Sequence, residues 1–430
     1  MIKNALILVP HQDDELNISG FLLETMINNN IEVNILYTTK GNYYKEKEKW
    51  RQKERDKIIN KIYGGKIKYI QLDYDDDYHK ENHSYKNDAI RNSMKHQIKK
   101  CITDILADLI ICVDYDDHPD HLMLASLFDS IIPEILVDYN YHPIVLKKGA
   151  YLGVWNGKDD YFDKRPKRTC EGMNDNKKYL LSLPNTWEDR ICLRTDYIDH
   201  GLTFWKSKIY KAYRCYLSQC GFKYFFKASN TDITYWFRNT NNLMLSAKVQ
   251  SNTGEAYYIN DFSIGRITDI GESNSLNKFS RSAWVPTDTQ KEITIEWKNK
   301  KNIDTMKIYQ NFYRFGHINK FELIFDNGTK RIMQCNELDV QDFKLNLVQV
   351  QKIRLRIIDY SGAAGIRELE LYEDSGTFPW NEIPFQKFNE KDVCSRNVLM
   401  ILLAKLIRHH IWIVLRAKNK IRRHLHLSHW

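Results

Sequence analysis

Short apolar runs alternate with longer polar stretches over the first 240 residues of the chain. Four strand-like runs lie at residues 5–9, 33–37, 67–72 and 109–113. Between them, segment 45–61 is highly charged, and Ile58, Ile59 and Ile62 at its end are expected to face the sheet. This arrangement is typical of an amphipathic helix that covers a sheet. Strands that alternate with helices predict βαβ units and a mainly parallel sheet. We therefore expect an α/β domain over residues 1–240.

The pattern changes after Asn242, where short strand-like runs follow one another at close intervals. Five of them lie at residues 292–297, 305–310, 320–325, 330–335 and 352–359. The sequence Asp-Asn-Gly at 326–328 is a turn signal between two of these runs. Short strands separated by turns predict an all-β sandwich, which we place at residues 241–373.

Positive charge is concentrated near the end of the chain. Of the net charge of +9, eight positive charges come from residues 396–430, which contain no Asp or Glu, and +1 remains for the other 395 residues. On a helical wheel the basic side chains of this segment share one broad face, and apolar side chains fill much of the remainder. The pattern predicts an amphipathic helix over residues 396–430, joined to the sandwich by a linker over residues 374–395.

The uncharged part of this basic helix is short. Its longest charge-free stretch, residues 397–404, is far below the ~20 residues that cross a bilayer. A basic amphipathic helix that contains Trp412 is typical of segments that lie on an anionic membrane surface, and we predict that role. The alternatives are packing on the protein's own surface or against a partner helix, with nucleic-acid contact the least favoured.

The eight cysteines show neither a CxxC pair nor a short disulfide framework. This pattern favours a reduced, cytoplasmic protein. The first strand-like run begins near residue 4 and a polar motif follows at residue 11, so we expect no removable signal peptide. We therefore predict a cytoplasmic protein that is peripheral on the inner face of the membrane.

Candidate chemistry first occurs where the first apolar run ends. Residues 10–15 have the sequence Pro-His-Gln-Asp-Asp-Glu, at the position where α/β enzymes keep their functional groups. One interpretation is a metal site, in which His11 and Asp14 supply ligands and Asp13 acts on a bound water. The other is a helix cap, because acidic residues suit a helix N-terminus. The motif alone does not decide between them.

A second polar cluster follows the strand-like run at 109–113. Residues 114–121 have the sequence Asp-Tyr-Asp-Asp-His-Pro-Asp-His, and Pro119 suits a first helical turn. Since the carboxyl ends of parallel strands share one edge of a sheet, the two clusters can meet in one crevice. Two histidines and a carboxylate then give the three-ligand, open pattern of catalytic zinc. The alternative is two unrelated helix starts that are rich in His and Asp.

Together, the motifs at 10–15 and 118–121 resemble the paired signature of the LmbE-like, or PIG-L, family of zinc-dependent N-acetylglucosamine deacetylases. Further similarities to the family are the turn at 39–41, Arg51 with Glu54, and the segments 208–219 and 235–237. The resemblance covers the first 240 residues, so the predicted α/β domain would be a Rossmann-like catalytic domain. Gln12 departs from the family, since many members have a second proline there, and we expect it to affect loop stiffness more than chemistry.

The resemblance implies a zinc ion held by three residues, which are His11, Asp14 and His121. Asp13 would be the general base. His118 would be positively charged or hydrogen-bonding, and it would stabilise the oxyanion and help the amine to leave, with Asp120 tuning it. In this scheme zinc and Asp13 activate the water that attacks the acetamide carbonyl.

Two residues are candidates for substrate binding. Arg51 would face the sugar or its substituent, and Asp76 is a further candidate for a sugar hydroxyl. The alternative for Arg51 and Glu54 is an ion pair on a helix surface, worth only a few tenths of a kcal/mol. The alternative for Asp76 is that residues 73–77 form a solvated acidic turn.

The β-rich part carries a second resemblance, to discoidin or galactose-binding-like jelly rolls. The sequence Gly-Ile-Arg-Glu-Leu-Glu-Leu at 365–371 is its most specific part. The resemblance implies an accessory module, with carbohydrate binding as its candidate role, although this fold does not fix a ligand. Trp284 and Trp297 are expected in the core rather than on a sugar platform, because aromatic residues of sandwiches usually pack inward.

The leading prediction is a zinc-dependent hydrolase that removes an acetyl group from an N-acetylated amino sugar, on a lipid-linked or polymeric glycan. One alternative is a zinc amidase acting on a non-sugar N-acyl small molecule. Another is a glycan-binding scaffold protein with an inactive catalytic domain. The expected partner is an amino-sugar or glycan substrate, nucleic acid is not expected, and the sequence gives no indication of the oligomeric state.

Overall fold

A computed structural model describes most of the chain. The described residues are 2–43, 47–76, 87–114, 118–150, 190–194, 206–219, 232–263, 283–311, 316–336 and 340–387.

Within these residues the first sheet has seven strands in the order β3-β2-β1-β4-β5-β7-β6. The strands are β1 (Asn4–Val9), β2 (Glu32–Thr39), β3 (Ile67–Tyr74), β4 (Leu109–Val113), β5 (Ile144–Lys148), β6 (Arg190–Arg194) and β7 (Asp232–Asn239). The first five strands in this order, β3, β2, β1, β4 and β5, pair in parallel. β7 and β6 are added antiparallel at the β5 edge. β4 is buried along its whole length, which explains why its sequence is a short continuous apolar run.

Five α-helices accompany this sheet in the described residues. They are α1 (Asp14–Asn28), α2 (Glu48–Lys57), α3 (Asp88–Ile105), α4 (Pro119–Asp138) and α5 (Lys208–Cys215), and α2 continues into a π-helical turn, Ile58–Ile62. Helices α1, α2 and α5 form one packed group, and α3 and α4 form another. With right-handed crossovers the two groups cover opposite faces of the sheet. The predicted Rossmann-like α/β domain is confirmed.

The direction of the strand order reverses between β1 and β4, which are parallel neighbours paired from Ala5 with Leu109 to Leu8 with Cys112. The chain turns out of β1 into α1, and out of β4 into α4. Both turns therefore lie at the same edge of the sheet, in the crevice where ligands bind in open α/β folds. This placement brings the two predicted motifs together.

The second part of the chain is antiparallel. Its strands are β8 (Lys248–Ser251), β9 (Glu292–Gln310), β10 (Gly316–Phe325), β11 (Lys330–Gln334), β12 (Val340–Gly362) and β13 (Ile366–Tyr372). The order is β11-β10-β12-β9-β13, and β8 pairs with β9. Register shifts between the long strands β9 and β12 mark bulges that bend them. The predicted all-β module is confirmed, and Trp284 and Trp297 lie buried in its core as expected.

The two parts are joined by buried contacts. Arg238 at the end of β7 pairs with Glu370 of β13 at 3.1 Å, and both side chains are 3% exposed. After β13 the chain returns to the first domain, where Phe378 and Phe385 enter its core. The backbone N–H of Arg194 then donates to Gln386 O at 2.8 Å, at the edge strand β6. The described part of the segment predicted as a linker is thus packed against the first domain.

The predicted basic helix at 396–430 lies outside the described residues, and so does the remainder of the predicted linker. The boundaries proposed for the domains stay predictions. Among the residues that the structure describes, we find no helix with the length and apolar character needed to cross a membrane.

Candidate active site

The turn between β1 and α1 contains a strained residue. Asp13 precedes the first residue of α1 and has φ 117°, although it is not a glycine. Such a backbone conformation costs on the order of 1–3 kcal/mol and persists only where the surrounding contacts hold it. The side chain of Asp13 does not cap the helix. Instead, its backbone N–H donates to the Glu15 carboxylate at 2.9 Å. Asp13 thus occupies the N-cap position of α1, but its side chain is not used as a cap.

The three predicted metal ligands lie close together, with both histidines around a carboxylate oxygen of Asp14. Asp14 Oδ2 lies 2.9 Å from His11 Nδ1 and 3.1 Å from His121 Nε2. All three residues are at most 4% exposed. Zinc bonds of about 2.0–2.1 Å in a tetrahedral arrangement place neighbouring ligand atoms about 3.3 Å apart. The nitrogen and oxygen donors and their spacing fit a divalent metal ion.

The same cluster offers further donors. His11, His118 and His121 each have a nitrogen within 4.8 Å of the others, and the same holds for ligand atoms of His11, Asp76 and Asp120. The cluster can thus hold a metal ion by more than one set of side chains. Asp120 Oδ2 lies 3.0 Å from His11 Nε2, which places the second motif directly against the first.

The electrostatics of the cluster reflect its buried carboxylates. Burial opposes the charged form of His11, yet the carboxylates of Asp76, Asp120 and Asp14 outweigh burial and raise the pKa of His11 to about 10. Burial also opposes ionisation of Asp14, but the neighbouring histidines His121 and His11 hold the pKa of Asp14 well below its ordinary value. The cluster therefore favours positive charge at its centre.

His118 differs from its two neighbours. Burial, together with the charges of His121 and His11, holds the pKa of His118 well below its ordinary value, so its imidazole is neutral at pH 7. The backbone N–H of Asp120 donates to His118 Nδ1 at 3.2 Å. Because Nδ1 accepts a hydrogen bond, the proton of the neutral ring is on Nε2. His118 can therefore donate a hydrogen bond from Nε2.

Asp13 is held next to a buried guanidinium. Arg51 Nη2 lies 3.3 Å from Asp13 Oδ1 and donates to the backbone oxygen of Gln12 at 3.2 Å. Burial and the neighbouring Asp14 carboxylate raise the pKa of Asp13 to about 7, against the opposing effect of Arg51. Arg51 is 6% exposed and Glu54 accepts from Ser218, so the alternative of an Arg51–Glu54 pair on an exposed helix surface is wrong.

Asp76 is also buried, and its carboxylate holds a loop. Asp76 Oδ1 accepts the backbone N–H of Gly41, and Oδ2 accepts that of Tyr43, each at 3.0 Å. Arg51 Nη1 lies 3.5 Å from the same Oδ2. At 2% exposure Asp76 is not part of a solvated acidic turn. The role predicted for Asp76 on a sugar hydroxyl stays a prediction.

Two residues that support Asp13 were not predicted from the sequence. Glu15 Oε2 accepts the N–H of Asp13, and Glu15 Oε1 accepts the hydroxyl of Tyr216 at 2.7 Å. Glu15 belongs to the first motif, so its position was visible in the sequence while its partner was not. Tyr216 lies in the segment 208–219, which only the family resemblance had singled out.

The second motif is supported by a buried ion-pair cluster. Lys147 of β5 lies 2.7 Å from Asp129 Oδ1 on α4 and 3.2 Å from Asp114 Oδ1, directly after β4. Burial opposes the ammonium charge, but Asp114 and Asp129 outweigh burial and raise the pKa of Lys147. This cluster ties the end of β4 to the helix that carries His121.

Comparisons with solved structures find similar chains for both parts of the protein. One is the N,N'-diacetylchitobiose deacetylase from Pyrococcus horikoshii complexed with its inhibitor MPG, at 20% identity over 34% of this chain and 60% of that chain, with a TM-score of 0.27. This chain thus spans less than two thirds of that enzyme. Another is the deacetylase in complex with teicoplanin from the teicoplanin biosynthesis pathway, at 10% identity over 54% and 97%, with a TM-score of 0.36.

The family 32 CBM of NanJ from C. perfringens, in complex with galactose, matches at 15% identity over 29% of this chain and 93% of that chain, with a TM-score of 0.22. A search of curated proteins finds no match. The family model described as PIG-L, GlcNAc-PI de-N-acetylase, matches residues 6–132. This range includes both motifs of the site, at 10–15 and 118–121. The protein therefore contains a PIG-L domain over residues 6–132.

Proposed function

We propose that the protein is a zinc-dependent hydrolase that removes the acetyl group from an N-acetylated amino sugar. The observation that carries this proposal is the geometry around Asp14. Its Oδ2 lies within 3.1 Å of nitrogens from His11 and His121, and the carboxylate of the preceding residue, Asp13, lies 3.3 Å from Arg51. A buried three-ligand cluster beside a separate carboxylate is the arrangement of a catalytic rather than a structural metal site.

His11, Asp14 and His121 would hold the ion. When bound, zinc supplies a Lewis acid that polarises the acetamide carbonyl and lowers the pKa of water. The PIG-L match over residues 6–132, and the amino-sugar substrate in that family's description, support the choice of reaction.

Asp13 is the proposed general base. It takes a proton from the attacking water while the new C–O bond forms at the acetamide carbon. Arg51, 3.3 Å from Asp13 Oδ1, keeps the carboxylate directed into the site. When the C–N bond breaks, Asp13 returns the proton to the leaving nitrogen, so that the products are acetate and a free amine.

His118 is the proposed oxyanion donor. The N–H of Asp120 fixes the proton of the neutral His118 ring on Nε2. A fixed donor aimed at the carbonyl oxygen stabilises the charge that develops there in the transition state. Asp120 thus acts on His118 through its backbone N–H, while its carboxylate lies 3.0 Å from His11 Nε2.

We also propose two features of the setting. The β module over residues 241–373 would hold part of a glycan substrate, and the basic segment 396–430 would attach the protein to an anionic membrane surface. Eight Lys and Arg with no acidic residue support the second proposal. Both features suit a lipid-linked or polymeric amino sugar.

The proposal is tested by metal analysis combined with acetate release. Purified protein should contain about one zinc per chain and should release acetate from at least one member of a panel of free, nucleotide-linked and lipid-linked N-acetyl sugars. N-acetyl amino acids in the same panel test the non-sugar alternative. The Asp13→Asn variant should keep its zinc and lose turnover by on the order of 10²–10⁴-fold.

Two outcomes would contradict this proposal. A folded protein that binds no zinc would refute the site, and Asp13→Asn with unchanged turnover would refute the assigned base. As a matched control, Asp73→Asn changes an aspartate outside the cluster and should leave zinc content and turnover unchanged.

A further inference from the structure

We propose that Tyr216 and Glu15 are positioning residues that set the backbone of Asp13. This inference rests on the proposed function, in which Asp13 is the general base. It concerns Glu15, which accepts the peptide N–H of Asp13, and Tyr216, which donates to Glu15 from 201 residues away in the chain.

The hydrogen bonds form a continuous line from α5 to Asp13. The hydroxyl of Tyr216, the residue after α5, donates to Glu15 Oε1 at 2.7 Å. The other oxygen of the same carboxylate, Oε2, accepts the backbone N–H of Asp13 at 2.9 Å. Tyr216 is 0% exposed and Glu15 is 2% exposed, so water does not compete for either bond.

The N–H of Asp13 needs this acceptor because of its backbone geometry. With φ at 117° the peptide departs from the usual conformation of a residue before a helix, and the Asp13 side chain makes no capping bond. A carboxylate held by a second donor fixes the direction of that peptide. The direction of the peptide in turn sets where the Cα–Cβ bond of Asp13 points.

The same segment also contacts α2, the helix that carries Arg51. Ser218, two residues after Tyr216, donates its backbone N–H to Glu54 Oε1 at 2.9 Å and its hydroxyl to Glu54 Oε2. Glu54 lies three residues after Arg51 on α2, and Arg51 contacts the Asp13 carboxylate. One short stretch, residues 216–218, therefore contacts both Glu15 and the helix that carries Arg51.

The chain supplies a matched control for a general loss of packing. Tyr213 of α5 is as buried as Tyr216, at 1% exposure, and its hydroxyl donates to the backbone oxygen of Leu16 in α1 at 2.8 Å. Tyr213→Phe and Tyr216→Phe each remove one buried hydroxyl that joins α5 to α1. Only Tyr216→Phe removes a bond to Glu15.

The first readout is independent of activity. Deuterium uptake by the peptide that covers residues 10–16 reports exchange at the Asp13 amide. Tyr216→Phe and Glu15→Ala should speed this exchange by about tenfold or more, since the acceptor is loosened or lost, and Tyr213→Phe should not. Glu15→Gln should protect the amide, because a carboxamide oxygen still accepts the N–H and its NH₂ can donate to Tyr216.

The second readout is turnover. In an assay where the wild type is active and Asp13→Asn is not, Tyr216→Phe and Glu15→Ala should lower kcat by on the order of 10–100-fold, with KM and zinc content within about twofold of the wild type. Tyr213→Phe should keep kcat, and Glu15→Gln should restore most of the activity lost in Glu15→Ala.

Each outcome decides the inference. Equal amide exchange in Tyr216→Phe and Tyr213→Phe would overturn it, whatever the activity. An equal fall of kcat in both, or a Glu15→Gln variant as impaired as Glu15→Ala, would also overturn it. A wild type that releases no acetate would refute the proposed function instead. Exchange at the Asp13 amide would still test the positioning role of Tyr216 and Glu15.

Discussion

Replacing Lys147 by Met should destabilise the first domain strongly. The ammonium lies 2.7 and 2.9 Å from the two oxygens of Asp129 and 3.2 Å from Asp114, and all three side chains are at most 5% exposed. Met has nearly the same length as Lys, so the substitution leaves little empty space and the free-energy cost of a cavity is small. The main effect is that two buried carboxylates lose their shared cation.

The magnitude follows from two separate estimates. Removing one partner of a buried ion pair costs about 3–5 kcal/mol. Alternatively, one carboxyl takes up a proton, and protonating an ordinary aspartate with a pKa near 3.9 costs about 4 kcal/mol at pH 7. The two estimates agree, so we expect Lys147→Met to lower the free energy of unfolding by about 4 kcal/mol at pH 7.

The proton estimate also gives a pH dependence. Each pH unit changes the protonation cost by about 1.4 kcal/mol, so the loss in Lys147→Met should shrink by about 2.7 kcal/mol between pH 7 and pH 5. The sign follows because the folded variant binds a proton that the unfolded chain does not. Its stability relative to the wild type therefore rises as pH falls.

Urea unfolding at pH 7 and pH 5 measures both effects. The matched control is Lys99→Met, which also breaks an ion pair with α4, between Lys99 and Glu134 at 2.7 Å, but with side chains that are 33% and 52% exposed. That control should lose less than about 1 kcal/mol. The reasoning is refuted if Lys147→Met loses no more than the control, or if its loss is the same at both pH values.

Three further predictions concern the metal, the loop and the tail. Removal of the metal with a chelator should lower Tm, and zinc should restore it, since an ion that binds only the folded state stabilises that state; an unchanged Tm in calorimetry would contradict the metal site. Gly41→Ala should lower both Tm and turnover, because Gly41 has φ +71° and an added Cβ would lie 2.2 Å from Gln12 Oε1, whereas Gly328→Ala, at φ +81° with nothing within 4 Å, should show only the smaller backbone cost. Deletion of residues 396–430 should abolish co-sedimentation with vesicles that contain phosphatidylserine and should not change behaviour with neutral vesicles; equal binding by the full and shortened chains would contradict the membrane proposal.

The meeting of the two motifs was predictable from the sequence. The runs that became β1 and β4 are almost wholly apolar, so both strands had to be buried, and parallel neighbours carry their following turns to one edge. His11 and His121 are therefore placed by local sequence patterns.

The support of Asp13 was not predictable in the same way. Tyr216 and Glu15 are 201 residues apart, and no local pattern indicates that a tyrosine near a helix end will donate to a particular carboxylate. The left-handed backbone of Asp13 was equally hidden, since its sequence neighbours fit an ordinary helix start. Contacts that depend on the packing of α5 against α1 appear only in the folded chain.

Strand β13 shows a different limit. Its sequence has Arg367 beside Glu368, and Glu368 and Glu370 alternate with apolar residues, a pattern typical of a strand with one face in water. In the structure these three polar residues are at most 2% exposed. The second face of β13 lies against the first domain, where Arg238 meets Glu370. A sequence pattern distinguishes polar from apolar faces, but it does not distinguish solvent from a domain interface.

The return of the chain to the first domain makes the β module an insertion rather than an appendage. The chain leaves the first sheet at the end of β7 and re-enters the same core at Phe378. A protein truncated after residue 373 would keep the strands of both sheets. It would lack Phe378 and Phe385, which belong to the core of the first domain. Each buried phenylalanine contributes about 1.5–3 kcal/mol, so the stability of the first domain depends on residues that follow the module in sequence.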